Sequence, residues 1–254
     1  MKAASLRNKV KNGFTIGTWV TIDHPVIYQS IAEYPFDWVL IDLEHSAIDF
    51  SGLHQAIAFF RNTSIGCLVR PPIVDNIYIK RIMDFGADGI IIPNVKTLKD
   101  VEDAVNYMKY PPEGLRGAGL FSAQGFGNNF ESYYRDNNQE SVLVVQIENN
   151  LAVKNLKDIA TNPYIDALMI GPYDLSSSLG VAGEFEHPKY LNEIDKIKKI
   201  AQKNNISIGV HIVEPDFAKL EAAKKDGYNF LGYGLDFKFI ISHLNQIKNF
   251  FNEK

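Results

Sequence analysis

A single cysteine, Cys67, stands in 254 residues, which excludes an intrachain disulfide framework and any cysteine-cluster metal site. Its neighbours, Ile65-Gly66-Cys67-Leu68-Val69, read as a buried strand, and its thiol as an inert core group. Positive charge is also scarce: 26 Lys and Arg stand against 30 Asp and Glu, a net charge of −4. Without a cationic excess to displace phosphate counterions, nucleic acid is excluded as an electrostatically driven partner. No apolar run approaches the roughly 18 residues a membrane span requires. The basic opening MKAASLRNKVKNG lacks the apolar stretch of a secretory signal. These absences predict a soluble, cytoplasmic protein without a membrane partner.

What is present is a rhythm. An Asp or Asn precedes a short apolar run at Asp37 (Trp38-Val39-Leu40-Ile41), Asp88 (Gly89-Ile90-Ile91-Ile92), Asp166 (Ala167-Leu168-Met169-Ile170) and Asn229 (Phe230-Leu231). Runs this short, without polar alternation, suit strands buried on both faces of a parallel sheet. Further runs at 16–20, 67–69, 142–145 and 206–210 bring the number of strands to eight. Helical patterns lie between them. Residues 188–203 place Leu191, Ile194, Ile197 and Ala201 on one face after Pro188, and residues 97–109 do so with Leu98, Val101, Val105 and Met108. Eight β/α units over about 250 residues predict an α/β fold, a single (β/α)8 TIM barrel spanning 1–254. A doubly wound sheet is disfavoured because no Gly-x-Gly-x-x-Gly follows the first strand.

Two segments depart from the rhythm. Residues 110–141, rich in Gly, Asn and aromatics, form a long irregular stretch after the fourth barrel helix, and the expectation is an active-site loop. Residues 238–251 place Phe239, Ile240, His243, Leu244, Ile247 and Phe251 at helical spacing. This apolar C-terminal helix either covers the barrel or docks on another subunit.

In a parallel barrel the reactive groups gather at the carboxyl ends of the strands. Those ends carry Asp42-Leu43-Glu44-His45, Arg70-Pro71-Pro72, Gln146-Ile147-Glu148-Asn149 and Gly171-Pro172-Tyr173-Asp174. Glu148 and Asp174 follow neighbouring strands, which lie about 4.8 Å apart, so both carboxylates can reach one divalent metal cation. A pair of carboxylates with the other positions left to water and substrate suits Mg²⁺ or Mn²⁺. The alternative is local capping, Asp174 through Ser176 or Ser177. Asp42 lies three residues before His45, close enough to orient an imidazole that serves as general base. Arg70, aimed by the prolines after it, suits a carboxylate or a developing enolate. Gln146 shares the strand face of Glu148. Together these groups suit enolate chemistry on a small 2-oxo acid. A Schiff-base route would need a lysine at a strand end, and the nearest, Lys96, reads as the solvated entry to the next helix.

At these residues the chain resembles the HpcH/HpaI family of class II, metal-dependent 2-oxo acid aldolases, from about Gly17 to Asp236. The likeness rests on Phe36–His45, Val69-Arg70-Pro71, Tyr110–Gly117, Val145–Glu148 and Ile170–Ser176, five motifs in order. The resemblance implies a pyruvate/phosphoenolpyruvate-type barrel, usually a homo-oligomer (a hexamer) whose final helix is exchanged between subunits. It implies Glu148 and Asp174 as ligands of Mg²⁺, Mn²⁺ or Co²⁺, Arg70 as the contact to the pyruvate oxygens, and His45, oriented by Asp42, as the base. Gln146 and Trp19 would line the pyruvate site, and Asp84 would approach a neighbour's site. The implied activity is a reversible lyase reaction that cleaves a 4-hydroxy-2-oxo acid to pyruvate, or a close 2-oxo acid, and an aldehyde. A citrate-lyase-like cleavage of a CoA ester and a non-catalytic sugar-acid-binding barrel are the alternatives. Two departures fall on the aldehyde half of the pocket. After Arg116-Gly117 the chain reads Ala118–Asn129 where commoner relatives carry an Arg-containing Ser/Ala-rich run, and His211 stands where apolar or small residues are usual.

Overall fold

The computed structural model describes residues 2–252. Eight parallel strands close in sequence order into a barrel. They are β1 (Thr15–Val20), β2 (Trp38–Asp42), β3 (Gly66–Arg70), β4 (Gly89–Ile92), β5 (Val142–Ile147), β6 (Ala167–Ile170), β7 (Ser207–Ile212) and β8 (Phe230–Leu235). The helices, in chain order, are α1 (Lys2–Asn12), α2 (Pro25–Ala32), α3 (Phe50–Phe60), α4 (Asn76–Phe85), α5 (Leu98–Met108) and α6 (Phe130–Glu140). They continue with α7 (Asn150–Lys154), α8 (Leu156–Ile159), α9 (Pro172–Ser178), α10 (Pro188–Lys203), α11 (Phe217–Lys225) and α12 (Asp236–Asn252). No described helix is long and apolar enough to cross a membrane.

The double burial of the strands is visible in β2. Val39 and Ile41 join the shell between barrel and helices, while Trp38 and Leu40 fill the interior with Leu68, Val144 and Met169. Helix α1 closes the amino end of the barrel. Its Leu6 and Val10 enter the interior cluster, and Arg7 Nε donates to Asp166 Oδ1 at 2.9 Å.

The recurring Asp/Asn acts as a set of braces. Asp37, Asp88, Asp166 and Asn229 each precede an even-numbered strand and accept, through the side chain, from a backbone N–H of the preceding odd-numbered one. The donors are Ile16 (3.1 Å), Cys67 (2.7 Å), Leu143 (3.0 Å) and Ile208 (2.8 Å). The same four residues return a backbone N–H to the carbonyl of that donor. Each brace fixes the register of one strand pair at its amino end.

Three expectations need correction. Segment 110–141 is not at the barrel's own active end. It joins α5 to β5, and a helix-to-strand connection runs at the amino rim, opposite the βα loops. There Arg116 Nη2 donates to Asp84 Oδ1 at 2.6 Å, Tyr133 Oη donates to the Met83 carbonyl at 3.0 Å, and part of the stretch is the helix α6. On α10 the buried face uses Tyr190, Ile194, Ile197 and Ala201, while Leu191 is 45% exposed. On α12, Phe239 packs against Tyr233, but Ile240, Leu244, Ile247 and Phe251 lie open to solvent, so the helix does not simply cover the barrel.

Candidate active site

The carboxyl ends of the strands surround a cavity of about 220 Å³. A larger one, about 530 Å³, lies at the opposite pole between Cys67, Asp88 and α6, out of reach of the strand-end groups.

Asp42 ends β2 and Arg70 ends β3, register partners across adjacent strands. The pairing puts the Asp42 carboxylate against the guanidinium: Nε donates to Oδ1 at 2.8 Å and Nη2 to Oδ2 at 2.6 Å. Both residues are buried. Burial works against the Arg70 charge, yet the Asp42 carboxylate holds that charge more firmly than in water. Arg70 Nη1 lies 3.1 Å from Glu44 Oε2 and donates to Gln146 Oε1 at 3.5 Å. Gln146 Nε2 donates to Glu148 Oε2 at 2.6 Å, so four strand-end residues form one continuous network. The shared face of Gln146 and Glu148 is as their spacing predicts.

The expectation that Asp42 orients His45 is not met. Both Asp42 oxygens are engaged by Arg70, and the His45 side chain, 72% exposed, extends past the strand end with Nε2 3.8 Å from Glu44 Oε2. His45 nevertheless lines the same cavity as Arg70, Gln146, Trp19 and Asp174. Asp174 caps nothing: it makes no hydrogen bond to protein among the described residues, and Ser176 Oγ donates to the Tyr173 carbonyl instead. Asn149, not Glu148, caps α7. Lys96 is exposed and lies outside the cavity lining, in keeping with its reading as a helix entry.

Two residues of the site went unassigned in the sequence. Glu44 stands two residues after Asp42 and falls on the same side. Asn94, just beyond β4 in the left-handed region (φ 54°), a conformation asparagine tolerates, donates its backbone N–H to Glu148 Oε1 at 2.5 Å and its side-chain amide to Glu44 Oε1 at 3.1 Å. The Pro93-Asn94 pair after an apolar run was the available signal.

The donor set fits a divalent cation. Glu44 Oε2 is buried and accepts no hydrogen bond, although Arg70 Nη1 stands 3.1 Å away. Burial, reinforced by the charges of Glu44 and Asp174, pushes the Glu148 carboxyl up to about 7. Burial also raises Glu44, against the pull of Arg70. Excess negative charge of this kind is what a hard cation relieves. Gly171 provides the room: a methyl group there would stand 2.9 Å from Glu148 Cβ and 3.2 Å from Glu148 Oε2. Among the described residues no three His, Cys, Asp or Glu side chains converge as a complete ligand set, so a cation here would keep open positions.

On the far wall the Trp19 indole stacks on His211, with centroids 3.8 Å apart and planes 7° from parallel. Burial pushes His211 down to about 4, so the ring is neutral at physiological pH.

Residues 15–243 match the profile described as HpcH/HpaI aldolase/citrate lyase. The chain is 30% identical over 242 residues to a hydroxypyruvate/pyruvate aldolase of Roseobacter denitrificans, covering 94% of this chain and 93% of that protein. It is 29% identical over 248 residues to a 5-keto-4-deoxy-D-glucarate aldolase of Klebsiella pneumoniae, covering 98% and 92%. The crystal structure of an HpcH/HpaI aldolase/citrate lyase family protein from Burkholderia cenocepacia superposes with a TM-score of 0.91 at 25% identity, over 98% of this chain and 99% of that one.

Proposed function

The chain belongs to the HpcH/HpaI aldolase/citrate lyase family, an aldolase-type enzyme, and from that premise we propose that it reversibly cleaves a 4-hydroxy-2-oxo acid to pyruvate, or a close 2-oxo acid, and an aldehyde. The observation that carries this reading is the continuous Asp42–Arg70–Gln146–Glu148 network, whose first three members line one cavity together with the unpartnered Asp174 carboxylate. Ligand binding alone would need no such accumulation of buried like charge around a guanidinium.

Glu148 and Asp174 would hold a divalent cation (Mg²⁺, Mn²⁺ or Co²⁺), which supplies Lewis-acid stabilisation of negative charge on the substrate's oxygens when bound. Arg70, aimed by Asp42, directs its guanidinium at the 2-oxo acid and stabilises the charge that develops there. Gln146 relays position between Arg70 and Glu148. His45, exposed at the mouth and beside Glu44, takes the proton of the 4-hydroxyl. The C3–C4 bond then breaks, its electron pair remaining on the 2-oxo acid fragment as an enolate while the aldehyde departs. Return of a proton to C3 gives the 2-oxo acid. The apolar row on α12 supports a homo-oligomer, with a hexamer as the state to test.

The test is pyruvate release, coupled to lactate dehydrogenase, over a panel of 4-hydroxy-2-oxo acids with and without added Mg²⁺, Mn²⁺ or Co²⁺. EDTA should abolish turnover and added metal restore it. His45→Ala should suppress cleavage yet leave Mn²⁺ binding intact, and a variant retaining full rate would refute the base. Turnover of CoA thioesters alone would transfer the site to the citrate-lyase side of the family.

A further inference from the structure

The cavity lining is of two kinds: the polar groups Arg70, Gln146 and Asp174, and an apolar set of Trp19, Val213, Leu235 and Phe237 with His211 stacked on Trp19. His211 occupies an inward position on β7, and each part of its ring has a defined environment. One face is covered by Trp19. The Cδ2 edge lies over Gly232, where a methyl group would meet Cδ2 at 3.1 Å and Trp19 Cζ3 at 2.3 Å, so the stack exists because residue 232 has no side chain. Nε2 stands 2.9 Å from the Gly234 carbonyl. A carbonyl only accepts, so Nε2 carries the hydrogen, and in a neutral imidazole Nδ1 is then a bare lone pair. Nδ1 has no protein partner and is not among the buried unsatisfied atoms of the described residues, which leaves it facing the cavity.

We propose that His211 determines the second substrate: its Nδ1 accepts a hydrogen bond from a hydroxyl of the aldehyde, so the enzyme selects short, uncharged hydroxyaldehydes. The inference rests on the aldolase reading above and specifies the half of the reaction that reading leaves open. The charge argument is independent of the tautomer. Among the described residues Arg70 is the one Lys or Arg side chain lining the cavity, and Asp42 and Glu44 already share it. A carboxylate on the aldehyde would face a lone pair and an apolar wall, with no further cation of this chain to receive it. The cavity of about 220 Å³ accommodates a short aldehyde beside a 2-oxo acid.

The experiment compares three two-carbon aldehydes as acceptors for pyruvate: glycolaldehyde, acetaldehyde, which lacks the hydroxyl, and glyoxylate, which carries a carboxylate. The wild type should show the highest kcat/KM with glycolaldehyde. His211→Leu should lower the glycolaldehyde-to-acetaldehyde ratio about tenfold, the worth of one hydrogen bond to a neutral group. His211→Asn, which keeps an acceptor near Nδ1, should restore part of it. Titration of tryptophan fluorescence, reporting Trp19 against the stacked ring, should show the same ratio in binding without turnover. An unchanged ratio in His211→Leu, or a wild-type preference for glyoxylate, would overturn the proposal. Discrimination in binding with no turnover of any acceptor would leave His211 standing and remove the aldolase reading instead.

Discussion

Asp42→Asn separates two roles that the same carboxylate was available to play. The structure gives Asp42 to Arg70, through two hydrogen bonds of 2.8 and 2.6 Å between buried groups. Removing one partner of a buried ion pair costs about 3–5 kcal/mol. Asparagine keeps one acceptor, so the lower end, about 3 kcal/mol, is expected. For a chain of this size each kcal/mol shifts Tm by about 2–4 °C, which predicts a fall of roughly 6–12 °C in thermal denaturation. The freed guanidinium also loses its aim at the 2-oxo acid. A misplacement near 1 Å costs about a hundredfold in rate, and the loss should appear as a raised KM for pyruvate as well as a lower kcat. A double-mutant cycle reads the assignment directly. Asp42→Asn with Arg70→Lys should be non-additive by about 1–3 kcal/mol, while Asp42→Asn with His45→Gln should add within about 0.5 kcal/mol. Strong coupling to His45, additivity with Arg70 and an unmoved Tm would together refute the reasoning.

Two further outcomes follow from the same geometry. Gly171→Ala places a methyl group 2.9 Å from Glu148 Cβ and 3.2 Å from Gln146 Nε2; overpacking of this kind costs about 1–3 kcal/mol, so Mn²⁺ affinity measured by calorimetry should drop by roughly 5- to 150-fold with circular dichroism unchanged. His211 is neutral when folded, its value lowered to about 4 from the ordinary 6.5. The unfolded chain therefore binds the extra proton first, and stability present at pH 7 is lost as pH falls from about 6.5 towards 4, by about 3 kcal/mol in all. Urea denaturation across that window should show this slope in the wild type and a shallower one in His211→Leu.

The barrel was legible because its strands are short, apolar on both faces and punctuated by an Asp or Asn, a pattern that survives without any alignment. What the punctuation does was not legible, since a side chain reaching the neighbouring strand's N–H depends on register. The strand-end rule brought Asp42, Arg70, Gln146 and Asp174 to one cavity and Glu148 into their network, because in a parallel barrel position along the chain sets position along the axis. The partnership of Asp42 was misjudged: closeness in sequence favoured His45, whereas pairing across strands favoured Arg70. Glu44 stands beside two more conspicuous residues, and the Pro93-Asn94 pair signals a turn after β4 but not the carboxylates that its N–H groups reach across the barrel. Segment 110–141 was placed at the wrong pole when its composition was weighed and its direction was not, for it follows a helix rather than a strand.

The four amino-end braces join β1 to β2, β3 to β4, β5 to β6 and β7 to β8, dividing the cylinder into four staves. Glu148 and Asp174 belong to a single stave, so the pair proposed to hold a metal keeps its spacing even if neighbouring staves shift. The Asp42–Arg70 pair, the Arg70–Gln146 contact and the Trp19–His211 stack each cross a seam between staves. Side chains at the strand-end cavity thus tie the staves to one another at the carboxyl end, as the braces tie strands within each stave at the amino end, and a ligand that tightens the cavity tightens the whole cask.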